Sequence, residues 1–190
     1  LDGGAGADEL RVEGAGANTL LGGEGNDRLN GSQGNDTLDG GTGNDVLSGG
    51  YGGNDTYVFG RGSGQDVVNN QGGIGAIQIT ADTAPGDVTV TRVQDLTSGI
   101  DDLVLSVNGT GDRLTVSGFF RDPFSQVQQV SFADGTIWGL ATLQDLARHV
   151  PDTDQGATTL TGFNDTDDII KAFGPGNVLV GLGGNDLLDG

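Results

Sequence analysis

The apolar residues of the first 70 positions recur at a fixed period. Leu10, Leu20, Leu29, Leu38, Leu47 and Tyr57 stand 10, 9, 9, 9 and 10 residues apart. Two positions before each lies a turn-forming carboxylate or amide: Asp8, Asn18, Asp27, Asp36, Asp45 and Asp55. The cleanest units read GGEGNDRLN (22–30), GSQGNDTLD (31–39) and GGTGNDVLS (40–48), and a looser seventh, RGSGQDVVN (61–69), carries Asp66 and Val68. The frame returns near the end, with Asp168, Asn177 and Asp186, and Ile170, Leu179 and Leu188, each 9 apart. The segment GLGGNDLLDG (181–190) is a near copy. Glycines at positions 1, 2 and 4 of a unit open backbone angles closed to other residues. They also remove side chains where carbonyls must converge. Position 8 points inward and positions 7 and 9 outward, as a period of two requires. Each unit is therefore predicted to be six turn residues followed by three extended ones.

Residues 70–150 follow another pattern. Glycine thins, and strand-like alternation appears in AIQIT (76–80), DVTVTRV (87–93), DLVLSV (102–107), RLTVSGFF (113–120), QQVSFA (128–133) and TIWG (136–139). NGTGD (108–112) reads as a hairpin loop and ADG (133–135) as a tight turn. Thr142 with Asp145 predicts a capping box opening a short helix over 143–149, stopped by Pro151. The loop 152–159 leads back to the repeats.

Composition narrows the chemistry. Glycine supplies 38 of 190 residues, and 27 acidic against 8 basic side chains give a net charge of −19. Of the acids, 24 are Asp and 3 are Glu, which places carboxylates at turns rather than on helices. Such a charge repels phosphate, so nucleic acid is not an expected partner. No apolar run approaches the ~20 residues of a membrane span. The opening LDGGAGADEL shows no Sec-type signal, and the absence of Cys excludes disulfides. Glycine is not every third residue, which excludes collagen. Up to Ser48 the only cationic side chains are Arg11 and Arg28. Stacked turns would thus superpose uncompensated carboxylates, and something cationic must lie between them.

These units resemble the RTX (repeats-in-toxin) nonapeptide G-G-x-G-x-D-x-U-x, where U is a large apolar residue. The resemblance implies an all-β fold with parallel β-rolls. Two units make one coil, each unit stacks on the next but one, and Ca²⁺ ions lie between turns. It pairs Asp8 with Asp27, Asn18 with Asp36, Asp27 with Asp45, Asp36 with Asp55, Asp45 with Asp66, and Asp168 with Asp186. In the family pattern, carbonyls at positions 2 and 4 of the lower turn and 1 and 3 of the upper join the carboxylates. That implies Gly4, Gly6 and Asp8 below Gly22, Glu24 and Asp27. The next site combines Gly23, Gly25 and Asp27 with Gly40, Thr42 and Asp45. On the other side, Gly31, Gln33 and Asp36 lie above Asn18, and Ser32, Gly34 and Asp36 lie below Gly52 and Asp55. Gly41, Gly43 and Asp45 meet Ser63 and Asp66, and at the end Asn164, Thr166 and Asp168 meet Gly181, Gly183 and Asp186. All-oxygen ligation of this kind suits a hard cation. Unit two departs from the pattern, with Glu13 at position 1 and Asn18 for Asp, and units one and six carry an extra residue.

The middle segment resembles the haemolysin-type calcium-binding-related module that follows such arrays. YVFGRGSGQD (57–66) resembles the usual exit from the roll. The expected organisation is a roll over 1–69, a small antiparallel β-rich module with one short helix over 70–151, and the start of a second roll over 152–190. The resemblance further implies a secreted, extracellular chain from a Gram-negative bacterium, exported by type I secretion machinery and folding in external Ca²⁺.

Other candidates read as structural. His149, the only His, is expected at a helix end. With no Cys and no second His, no triad or zinc site assembles. Asp101–Asp102 and Asp152-x-Asp154 read as loop residues, and the sequons at Asn35 and Asn108 as incidental. Phe119, Phe120 and Trp138 are read as core, with a sugar-binding platform as the alternative. The chain opens inside one repeat and closes inside another, as expected of a block from a larger toxin, adhesin or exoenzyme. No HExxH or GxSxG occurs, so the expected role is non-catalytic. The alternatives are a surface- or glycan-binding adhesion module, or the secretion and folding tail of a protease or lipase.

Overall fold

The computed structural model describes residues 1–95, 99–150, 159–163, 167–171 and 178–189. They form two compact units, 1–140 and 141–190. In chain order the first unit contains β1 (Asp2–Ala5), β2 (Glu9–Arg11), β3 (Thr19–Glu24), β4 (Arg28–Asn30), β5 (Thr37–Thr42), β6 (Val46–Tyr51), β7 (Thr56–Phe59), β8 (Gln65–Gln71) and β9 (Gly75–Ile79). Then follow β10 (Val88–Asp95), β11 (Ile100–Val107), β12 (Arg113–Val116), β13 (Val127–Ser131) and β14 (Ile137–Gly139).

Odd and even strands of the repeats separate into two parallel sheets. One runs β1-β3-β5-β7-β9 and the other β2-β4-β6-β8. The register is that of unit on next-but-one unit: Leu20 faces Leu38 and Tyr57, and Leu10 faces Leu29 and Leu47. Position 8 of every unit, from Leu10 through Val68, is buried. So is Ile77, which marks an eighth unit that has Gly75 where the others have Asp or, in unit two, Asn18. In β3, β5 and β6 the extended backbone continues past position 9 into position 3 of the following unit. The turns themselves stack in hydrogen-bonding register there, with Gly6 N–H donating to the Glu24 carbonyl at 2.7 Å.

The middle segment lengthens both sheets. β13 pairs parallel with β9, and β14 closes that sheet antiparallel. β12 pairs parallel with β8, and the β11–β12 and β10–β11 pairs are antiparallel. The expected hairpin at 108–112 and turn at 133–135 are both present, and strand ends differ from the sequence expectation by one to a few residues. Its core is Leu103, Leu105, Leu114, Val116, Phe119, Val127 and Val130, all fully buried.

The helix differs from its sequence expectation. α1 spans Leu140–Ala147 and follows β14 directly, so Thr142 lies inside the first turn instead of capping it. The i, i+4 pair Leu143 and Ala147 is buried and sets its orientation. The chain then enters β15 (His149–Val150) at the place where the sequence predicted a helix end.

In the second unit, β15, β17 (Ile169–Lys171) and β19 (Leu187–Asp189) form one parallel sheet. β16 (Thr159–Thr161) and β18 (Val178–Val180) form another. Ile170 faces Leu188 and Leu160 faces Leu179, which repeats the alternation of the first roll. Asn164, Thr166, Asn177 and the Asp152-x-Asp154 pair lie outside the described residues.

Candidate metal centre

In the first roll the position-6 residues, Asp8, Asn18, Asp27, Asp36, Asp45, Asp55 and Asp66, stack in two columns. Oδ1 of one Asp accepts the backbone N–H of the position-6 residue one layer away. Asp8 donates to Asp27 at 2.7 Å, Asp27 to Asp45 at 2.7 Å and Asp45 to Asp66 at 3.0 Å. In the second column Asn18 donates to Asp36 at 2.8 Å and Asp36 to Asp55 at 3.0 Å. Asp168 donates to Asp186 at 3.0 Å in the second unit. All six pairs expected from the next-but-one stacking are thus in contact.

The other carboxylate oxygen is the informative one. Oδ2 of Asp8, Asp27, Asp36, Asp45 and Asp55 is buried without a hydrogen-bond partner. Five buried acceptors of one charge, left unsatisfied in register, are far outside normal practice for protein interiors. The glycines of position 1 form the cradle. A Cβ built on Gly3 would sit 2.7 Å from the Gly22 carbonyl oxygen and 2.9 Å from Asp8 Oδ2. A Cβ on Gly22 would overlap the Gly40 carbonyl and Asp27 Oδ2. On Gly31 it would crowd Asp36 Oδ2 and the Gly49 carbonyl, and on Gly162, Asp168 Oδ2 and the Gly181 carbonyl. Carboxylate and main-chain oxygens of adjacent layers therefore converge at each missing side chain.

Positions 2 and 4 bring the layers close. Side chains on Gly23 and Gly41 would overlap the carbonyls of Gly4 and Gly23. On Gly25 and Gly43 they would overlap those of Gly6 and Gly25. In the sixth unit the extra residue moves the frame: Gly53 stacks on Gly34, and Gly52 faces open space. Of the position-3 carbonyls, Glu24, Thr42 and Ser63 each accept an N–H from the layer below, from Gly6, Gly25 and Gly43. One lone pair remains on each. Ser32 replaces glycine at position 2 and takes φ 81°, with its hydroxyl donating to the Gly14 carbonyl at 2.7 Å.

Asn18 behaves differently from the Asp residues. Its Nδ2 donates to Asp36 Oδ1 at 2.9 Å and to the Gly16 carbonyl at 2.6 Å. This layer satisfies itself with an amide where the others leave bare oxygens.

The columns end in ways the sequence did not announce. Above Asp66 the register places Leu114, and Asp112 accepts N–H groups of Gly62 and Gly64, both at 2.9 Å. Burial alone would raise the Asp112 carboxyl, but these donors and the Thr110 hydroxyl hold it below the usual carboxylate value. Asp55 ends the other column, next to Tyr57, whose phenol donates to Asn70 Oδ1 at 3.1 Å. Asn70 Nδ2 in turn donates to the Phe124 and Gln126 carbonyls at 3.2 and 3.0 Å. Burial raises the Tyr57 phenol, reinforced by the Asp55 charge. Burial is also the main cause that raises the carboxyls of Asp45, Asp55 and Asp66, with Asp55 at about 6 and Asp66 at about 7. The facing Asp27, Asp36 and Asp45, respectively, add repulsion. Only the D-R-L of 112–114 hints at Asp112 in the sequence.

The remaining candidates are structural. Asp101 forms a two-pronged pair with Arg92 at 2.7 and 2.8 Å, and Arg92 lies 4.5 Å over the Phe120 ring. Asp102 accepts the Gly118 N–H at 2.7 Å. Phe119 is buried edge-on to Phe120, and Trp138 packs edge-on to Phe132, so the three aromatics form no common platform. The side chain of Asn35 accepts the Asn54 N–H, and that of Asn108 accepts the Thr89 hydroxyl. Among the described residues no three acidic, Cys or His side chains gather at one point. Each gap between two Asp-bearing layers offers two carboxylates and a set of carbonyls, which is a hard-cation donor set; the Asn18–Asp36 gap offers one carboxylate.

Residues 14–47 match the family model of the RTX calcium-binding nonapeptide repeat (4 copies). The chain carries RTX calcium-binding repeats. Repeats of this kind bind several Ca²⁺ ions along an array, and the two columns of bare Oδ2 atoms are the place in this RTX array whose chemistry fits them. Residues 102–142, which carry β12, β13, β14 and most of β11, match the haemolysin-type calcium binding protein related domain. No curated protein matches the chain.

Proposed function

We propose that this chain is a calcium-driven folding block of a larger secreted protein, with Ca²⁺ held between the layers of the roll. The carrying observation is the two columns of buried, unpartnered Oδ2 atoms, of Asp8, Asp27 and Asp45 in one and of Asp36 and Asp55 in the other. Asp8 with Asp27, Asp27 with Asp45, Asp36 with Asp55, Asp45 with Asp66, and Asp168 with Asp186 supply the charged oxygens. The expected carbonyls are those of the position-1 to position-4 residues around them. The ions neutralise the stacked carboxylates and join adjacent turns. The Asn18–Asp36 gap is the weakest site, because the Asn18 amide already fills it.

One buried leucine per nine residues does not offset the ordering of nine residues. Binding free energy is then folding free energy. With little free Ca²⁺ the chain, at −19, stays extended. Such a chain suits passage through type I secretion machinery and folding outside the cell. No helix among the described residues is long and apolar enough to cross a membrane. In this reading residues 1–69 are the first ion-binding roll, 70–151 the module that closes it, and 152–190 the beginning of a second roll. The role is to fold and to present neighbouring domains, with no catalytic step of its own.

A calcium titration followed by circular dichroism tests the reading. The expected result is little β signal in chelator and full β signal in millimolar Ca²⁺. Mg²⁺ is not expected to substitute, because its small octahedron and tightly held water fit carbonyl-rich turns poorly. Equal β content with chelator and with Ca²⁺ would overturn the proposal.

A further inference from the structure

A groove runs along one side of the roll, beside the turns of the second and fourth units, whose Gly14, Ser32 and Gln33 also line it. Its first part, of about 380 Å³, is lined by residues that include Arg11, Asn30, Ser48, Tyr51 and Gln71. Its second part, of about 490 Å³, shares Tyr51 and Gln71 and adds Asp122, Phe124 and Ser125. Two aromatic rings flank the second part, with Tyr51 77% exposed and Phe124 73%. Large aromatics so exposed on a rigid scaffold mark a contact surface.

Both rings are held by backbone. Tyr51 is in ladder register with Gln71, and the extra residue of the sixth unit follows it. The Phe124 carbonyl accepts Gly72 N–H at 2.8 Å and Asn70 Nδ2 at 3.2 Å. The floor is polar and regular. Arg11, Asn30 and Ser48 are consecutive rungs of one row. The side chains of Asn30, Ser48, Gln71 and Ser125 hydrogen-bond to no other described residue, although position-5 asparagines elsewhere on the surface are all tied into ladders. Four free amide and hydroxyl groups offer donors and acceptors together. Charge is confined to the ends, with Arg11 and Glu13 at one and Asp122 at the other.

A matching ligand alternates apolar C–H faces with hydroxyls and carries no net charge. An anionic polymer is repelled by the −19 chain. A hydrophobic peptide would want a dry apolar pocket, which this amide-lined groove is not. Four strands at about 4.8 Å spacing carry the floor over roughly 14 Å, long enough for several sugar rings. We propose that this groove binds a neutral linear oligosaccharide, with Tyr51 and Phe124 as stacking surfaces and Asn30, Ser48 and Gln71 reading hydroxyls.

The test titrates the Ca²⁺-saturated chain with maltohexaose, cellohexaose and laminarihexaose, followed by calorimetry and ring-proton NMR. At least one sugar binds, and Phe124→Ala and Tyr51→Ala each weaken it by about tenfold or more. The Ca²⁺ midpoint of Phe124→Ala stays unchanged, which separates this site from the ion layers. No binding of any of the three at millimolar concentration overturns the proposal, as does binding that survives both substitutions. Preference for a sulfated oligosaccharide overturns it. So does capture of the dye 1-anilinonaphthalene-8-sulfonate at these rings without sugar binding, which would mark a hydrophobic partner.

Discussion

Replacing Asp66 by Asn should change the chain in opposite directions with and without Ca²⁺. Asp66 is buried at the end of its column, and its Oδ1 accepts the Asp45 N–H at 3.0 Å. An Asn keeps that acceptor and removes the charge. Burial first, then repulsion from Asp45, Asp112 and Asp39, raises the Asp66 carboxyl from 3.8 to about 7. A folded-state value above the unfolded one means the metal-free fold retains a proton that the unfolded chain releases. Stability is therefore full below about pH 4 and falls as pH rises to about 7. At about 1.4 kcal/mol per pH unit the loss is roughly 4 kcal/mol, reduced by whatever water the ionised form admits. Asp55, at about 6, loses stability in the same sense over a narrower window. In chelator the wild-type chain should then show more β signal at pH 4 than at pH 7.5, and Asp66→Asn should flatten that difference and raise the signal at pH 7.5. In Ca²⁺ at pH 7.5 the same substitution removes a charged ligand, so the Ca²⁺ midpoint rises and fewer ions bind. Circular dichroism across pH, with and without chelator, plus calorimetric titration, reads both effects. A shift in the same direction in both media, or no pH dependence in chelator, would refute the argument that this carboxylate is buried for a cation.

Three further outcomes follow from the geometry. Asp45→Ala, which touches both Asp27 and Asp66, should raise the Ca²⁺ midpoint and lower the stoichiometry, whereas Asn18→Ala changes little and Asp186→Ala affects only the C-terminal array. Equal titrations for Asp45→Ala and Asn18→Ala would count against the pairing of each unit with the next but one. Gly25→Ala places a Cβ onto the Gly6 carbonyl at φ 124° and should cost at least about 3 kcal/mol in Ca²⁺ denaturation curves. Gly16→Ala meets nothing within 4 Å and should be nearly silent. Asp112→Ala strips the acceptors from Gly62 and Gly64 N–H and should weaken Ca²⁺ binding by the first roll, although Asp112 lies in the related module. An unchanged midpoint would mean that the module and the last turn are energetically independent.

The roll was legible in the chain because its physics is local and periodic. Nine-residue spacing fixes which leucine enters the core and where each carboxylate falls in its turn, whereas the stacking of each unit on the next but one was what the resemblance to the RTX nonapeptide implied. In that stacking Leu20, Leu38 and Tyr57 share one row. Strand alternation in the middle module was legible for the same reason, since period two depends only on neighbours along the chain. The helix boundary was not, because burial of Leu143 and Ala147 outweighed the cap offered by Thr142. Nor was the closure of the columns. Asp112 stands 48 residues from Gly64, and the Asn70 contact with Phe124 spans 54, distances over which no periodicity carries information. Which strands lengthen which sheet, where the Asp columns stop, and which rings are left in solvent depend on long-range pairing. The nonapeptide decided where the carboxylates fall in each turn; only the tertiary structure decided what caps their columns and which face remains open.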